Sequence, residues 1–97
     1  MTRTLEWQVG LFLVEEGGTT RVRAVLDTGT TTYTGNGVAR CNPEDVDVPE
    51  IGDELAASRA MKDLATQLMR VANRDLESVG AGPEDGLVPY GWPEAAT

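Results

Sequence analysis

Along residues 6–14 apolar and polar side chains alternate, with Trp7, Val9, Leu11 and Leu13 on one face of an extended segment and Gln8, Gly10, Phe12 and Val14 on the other. A period of two predicts a strand, and its odd-numbered face is the better core candidate. Glu15-Glu16-Gly17-Gly18 follows, where the paired glycines supply the positive φ angles of a tight hairpin. Residues 20–27 alternate again, which turns Val22, Ala24 and Leu26 inward and puts Arg21 and Arg23 together on the outer face. After a second turn at Thr28-Gly29-Thr30, residues 32–41 read as a third strand, rich in β-branched and aromatic side chains. Gly35 and Gly37 inside it mark a bulge or a close backbone approach. Consecutive strands joined by short turns predict an antiparallel meander.

Two prolines and clustered Asn and Asp then exclude regular structure over residues 42–49. From about residue 52 to 79 the period changes. Leu55, Met61, Leu64, Leu68, Val71, Ala72, Leu76 and Val79 recur at steps of three and four, the pattern of an amphipathic helix. Asp53 and Glu54 suit its positive end, and Gly80 and Gly82 stop it. A helix of about 26 residues spans roughly 39 Å, against roughly 27 Å for a strand of eight, so it outruns its sheet. A three-stranded sheet also has two open edges, and pairing one with a second copy would cover edge and overhang together, which predicts a homodimer. The expected class is α+β, a three-stranded antiparallel meander followed by one long C-terminal helix over residues 1–79. Residues 80–97 are expected to form a flexible acidic tail whose anchors are Leu87, Val88, Tyr90 and Trp92.

Composition narrows the function. At 97 residues the chain holds one modest core. Histidine is absent, which excludes Ser-His-Asp and Cys-His catalysis and every imidazole metal site. The single cysteine, Cys41, cannot form an internal disulfide and reads as a small buried residue. With neither a signal-peptide pattern nor an apolar run of about 20 residues, the expected location is the cytoplasm, with no membrane contact. The net charge of −8 argues against a generic polyanion binder. That charge is unevenly spread: residues 1–43 are neutral, 44–54 carry −6, 55–78 carry +1, and the tail −3. The body outside the acidic loop and tail is therefore slightly basic. Candidate phosphate contacts are Arg21, Arg23 and Arg40 on strands, and Arg59, Lys62, Arg70 and Arg74 on the helix, where the first two are three apart and the last two four apart.

Other motifs point to chemistry less well. Val25-Leu26-Asp27-Thr28-Gly29-Thr30 looks like the active-site turn of aspartic proteases, in which two carboxylates about 3 Å apart share a proton, and a chain this short would need a homodimer to build the pair. A long amphipathic helix does not belong to that all-β fold, and Asp-Thr-Gly is a good turn sequence in itself. Asn42, Glu44, Asp45, Asp47 and Glu50 lack the spacing of a calcium loop and read as a solvated acidic loop. Gly35-Asn36-Gly37 lacks the third glycine of a dinucleotide fingerprint. No enzyme activity, cofactor, metal or small-molecule substrate is expected.

Two strings carry a resemblance: Gly35-Asn36-Gly37-Val38-Ala39-Arg40-Cys41-Asn42-Pro43, and Val48-Pro49-Glu50-Ile51-Gly52-Asp53-Glu54-Leu55-Ala56-Ala57-Ser58-Arg59-Ala60. Together with the N-terminal Trp and the helix, they span residues 5–79 and resemble a family of small actinobacterial proteins that includes the hypoxia-induced, dormancy-regulon protein of mycobacteria. The resemblance implies a double-stranded-RNA-binding-domain-like β-β-β-α fold, structural roles for Gly35, Gly37, Ala39, Arg40, Asn42, Pro43, Pro49, Ile51, Gly52 and Leu55, and often a dimer. That dimer is similar in shape to ribosome hibernation-promoting factors, which implies a stress-associated protein on the ribosome or RNA. The alternative is a protein-binding regulatory dimer with no nucleic-acid role. This chain departs from hibernation factors in charge, with −8 overall and one lysine, so any RNA contact must be a local arginine face.

Overall fold

A computed structural model describes residues 2–80 of the chain. Three strands, β1 (Gln8–Glu16), β2 (Thr19–Asp27) and β3 (Thr32–Arg40), form an antiparallel sheet in the order β1-β2-β3, and one helix follows, α1 (Pro49–Ser78). The α+β meander-then-helix architecture is the one the periodicities predict. Gly17 and Gly18, with φ of 57° and 78°, make the two-residue turn that sets Glu16 opposite Thr19 and so Phe12 opposite Arg23. In the next turn Asp27 Oδ1 accepts the Gly29 N–H at 2.8 Å, and Thr28 Oγ1 accepts the Thr31 N–H at 3.1 Å. The chain divides into two compact units, Met1–Gln67 and Leu68–Thr97. The first holds the sheet and the helix as far as Gln67; of the second, the described residues are the rest of α1 and the turn to Gly80. The segment with Tyr90 and Trp92, and the rest of the tail, lie outside the described residues.

The helix begins at Pro49, three residues before the sequence pattern suggests, because a proline without an N–H costs nothing in a first turn whose amides lack helical partners. Glu50 is thus the first-turn acid, and Asp53 and Glu54 lie one turn further in. The core is also differently composed. Its apolar members are Val22, Ala24 and Leu26 of β2, Ala39 of β3, and Ala56, Ala60 and Leu64 of α1. Leu55 and Met61, expected inside, are exposed, Leu68, Val71 and Leu76 are half-buried, and Ala72 and Val79 are exposed.

Gly35 and Gly37 explain this choice. A Cβ on Gly35 would stand 2.4 Å from the Leu64 amide nitrogen, and one on Gly37 would stand 2.2 Å from the Ala60-preceding turn at the Ala56 carbonyl oxygen. The helix backbone therefore rests directly on β3, and only alanine fits beside it at 56 and 60. Of the two readings of these glycines, close approach holds, and β3 pairs with β2 without a bulge. Gly52 plays the same part at the helix start, where a Cβ would lie 3.0 Å from Thr20 Oγ1.

Because the helix lies against β2 and β3, the odd face of β1 is left uncovered. Val9, Leu11 and Leu13 pair with the buried Leu26, Ala24 and Val22, so they share the helix side of the sheet. They remain 50%, 37% and 43% exposed, which corrects their assignment to the core. Among the described residues, only Val22, Leu26 and Leu64 of the apolar core are larger than alanine, and each contributes roughly 1.5–3 kcal/mol on burial, so the described core is thin.

Candidate functional site

The two edges of the sheet differ. At β3, Asn36 N–H donates to Asp63 Oδ2 at 2.8 Å, and Arg59 Nη1 donates to the Val38 carbonyl oxygen at 2.8 Å. Helix side chains thus occupy two of the outward backbone groups of β3. Backbone direction alternates along an antiparallel ladder, so Arg23 and Arg21, opposite Asn36 and Val38, turn theirs toward Phe12 and Val14 of β1. Val9, Leu11 and Leu13 consequently present their N–H and C=O groups on the outer edge of β1, where no hydrogen bond from the described residues reaches them. One edge is engaged at its centre by helix side chains, and the other is open, beside an apolar face that no described residue covers.

The opposite face of the sheet has no helix over it. Its central row is Phe12, Arg23 and Asn36; the next is Val14, Arg21 and Val38; and Arg40 ends β3 on the same side. Arg23 Cζ lies 5.3 Å from the centre of the Phe12 ring, within cation–π range, and both side chains are exposed. An aromatic ring and three guanidinium groups on an open sheet can stack on bases and pair with phosphates.

Of the seven candidate cations, the fold brings Arg21, Arg23 and Arg40 onto one face. Arg59 is on the helix side, engaged with the Val38 carbonyl, and Lys62 is exposed on α1. Arg70 and Arg74 belong to the second unit and are exposed there. Arg59 and Lys62 therefore do not extend the strand set, because this part of α1 lies on the other side of the sheet from Arg21 and Arg23. Phe12 was the member missing from the sequence reading: its even-numbered face was legible, but its pairing with Arg23 needed the two-glycine register.

The remaining motif residues build the end of the domain near the helix start. Asn42 Oδ1 accepts the Glu44 N–H at 3.1 Å, and its carbonyl accepts the Asp45 N–H at 2.9 Å, forming a turn around Pro43. Ile51 and Leu55 are exposed. Cys41 is half-buried rather than buried, and burial together with the Asp47 and Asp45 carboxylates raises its thiol pKa. Glu15 at the end of β1 is raised too, by its hydrogen bond with Asp53 first and then by the charges of Asp53, Asp47 and Glu50. Asp53 Oδ1 is buried with no hydrogen-bond partner among the described residues.

The model of the Rv2632c-like family matches residues 5–85 of the chain. The uncharacterized protein Mb1767 of Mycobacterium bovis is 42% identical over 77 residues, covering 79% of this chain and 82% of its own. The uncharacterized protein Rv2632c of Mycobacterium tuberculosis is 39% identical over 80 residues, covering 82% and 86%. The crystal structure of Rv2632c superposes with a TM-score of 0.75 at 35% identity, covering 81% of this chain and 94% of that one.

Proposed function

The chain belongs to the Rv2632c-like family, and we propose that it acts as a stress-associated homodimer, joined through β1, that contacts ribosomal RNA with the helix-free face of its sheet. The observation that carries the RNA reading is Arg23 over Phe12, flanked by Arg21 and Arg40 on an open sheet. Stacking and phosphate pairing both need exposed groups, and Phe12, Arg21, Arg23 and Arg40 are all exposed. The acidic loop and tail keep the bulk charge negative, which favours one local contact over general attraction to nucleic acid.

The second copy is inferred from the edges. An antiparallel β1–β1 pair centred on Leu11 sets Val9 of each copy opposite Leu13 of the other, so the uncovered apolar residues meet their own kind. The two sheets become one, and the two arginine faces lie on the same side of it. The likeness in shape to hibernation-promoting factors that the sequence implies supports the ribosome, under stress or dormancy, as the source of the RNA. The proposed role is one of binding, with the Asp27 carboxylate of the protease-like string accepting the Gly29 amide N–H in a turn.

Co-sedimentation with ribosomes tests the proposal. Wild-type protein is expected in the ribosomal pellet at low salt, with less at moderate salt, and R21Q/R23Q is expected in the supernatant at both. If the wild type fails to pellet at low salt, where phosphate contacts are strongest, the RNA reading falls and a protein-binding regulatory dimer takes its place.

A further inference from the structure

A cavity of about 460 Å³ opens where the β1–β2 turn, the loop after β3 and the start of α1 come together, entirely within the first unit. Its size suits a small ligand. One wall is apolar, formed by Val48, Ile51 and Leu55, which are 38%, 52% and 46% exposed along this half-open cleft. Glu15, Glu16, Asp45 and Asp47 also border it, against Arg40 as the one cation among the described lining residues.

The Asp47 charge reaches side chains on two elements: Glu15 near the end of β1, whose pKa is raised first by its hydrogen bond with Asp53, and Cys41 after β3, whose pKa is raised first by burial. The four carboxylates disfavour an anion, and the Ile51 amide at the helix start is already engaged, 3.0 Å from the Val48 carbonyl oxygen. A metal ion fits no better, since among the described residues no three carboxylate or thiol groups converge on one point.

We propose that this cavity binds a small organic cation with an aliphatic stem, a linear alkyl amine of the polyamine class, its ammonium between Glu15 and Asp47 and its methylenes along Val48, Ile51 and Leu55. Separated carboxylates suit ammonium groups spaced along a chain, and the apolar wall gives the intervening methylenes a surface that a hydrated metal ion could not use. The site shares only Arg40, at its border, with the arginine face.

Calorimetric titration of the full chain with spermidine at about 0.1 M salt, where diffuse surface attraction is screened beyond about 10 Å, tests this. Saturable one-site binding is expected, with E15Q and D47N each weakening it about tenfold by removing one charged partner. E77Q, which removes the same charge from the second unit, and R21Q/R23Q are expected to bind like wild type. No saturable binding, equal weakening by E77Q, or full displacement of spermidine by magnesium at matched ionic strength would each overturn the site in favour of nonspecific attraction to an acidic protein. None of these results bears on ribosome association, so the two proposals fail separately.

Discussion

The carboxylate of Asp63 accepts the amide N–H of Asn36 at 2.8 Å, so a helix side chain occupies a donor that the outer edge of β3 would otherwise offer to another chain. Together with Arg59 on the Val38 carbonyl, four residues further back on α1, it engages the centre of the β3 edge. Asp63→Ala also removes the bond that Oδ2 accepts from Gln67 Nε2, and is expected to cost about 1.5–3 kcal/mol, the usual range for a bond to a charged group, read as a lower urea midpoint. Amide hydrogen exchange localises the effect: Asn36 should lose protection while Phe12, in the β1–β2 ladder, keeps it. Equal loss at both amides would point to general loosening instead of an opened edge.

Gly35 has no room for a side chain because helix backbone, not a movable side chain, stands 2.4 Å from where its Cβ would be. Gly35→Ala must push α1 off the sheet, and the expected cost is about 3 kcal/mol or more, enough to unfold much of a thin-cored domain. Gly10→Ala is the comparison, since its Cβ would meet the Phe12 ring at 3.2 Å and that ring can turn aside. Thermal unfolding of both variants should show a large loss for the first and a small one for the second.

These glycines also mark where the sequence stops being sufficient. The period of two located all three strands, and the Gly17-Gly18 turn fixed a register from which Phe12 opposite Arg23 could have been counted. Alternation cannot say which strands a helix covers, and Val9, Leu11 and Leu13 alternate as cleanly as Val22, Ala24 and Leu26 while only the second set is buried. The glycine pair held that information: a helix lying on β3 selects Ala56 and Ala60 over the larger Leu55 and Met61 as its inner face. Charge was least legible, because Arg59 and Arg23 look alike in sequence, yet one is bound to a strand edge and the other lies over a ring.

Leu11 lies at the middle of the open β1 edge, with its backbone groups outward and its side chain on the uncovered face. In the proposed dimer it sits at the two-fold axis, so Leu11→Lys sets two ammonium groups against each other. Sedimentation equilibrium should change from dimer to monomer, while circular dichroism of the monomer keeps both strand and helix signals. A wild type that is monomeric at all accessible concentrations refutes the β1 pairing.

Glu15 should tie stability to pH in a direction opposite to most carboxylates. Its pKa is raised above the ordinary 4.5, first by the hydrogen bond with Asp53 and then by the charges of Asp53, Asp47 and Glu50. Between the ordinary and raised values the folded chain holds more proton than the unfolded one, so stability from this group is complete below pH 4.5 and declines as pH rises through the raised value. Glu15→Gln keeps the shape and a hydrogen bond to Asp53 but carries no charge. The variant should therefore gain on the wild type as pH rises, its advantage levelling off once Glu15 is ionised. Urea unfolding of both proteins across this range measures that difference, in which distant carboxylates cancel because they contribute equally to each curve. A constant difference at every pH would mean that Glu15 and Asp53 do not interact, and would remove one support for a negatively charged cavity at the helix start.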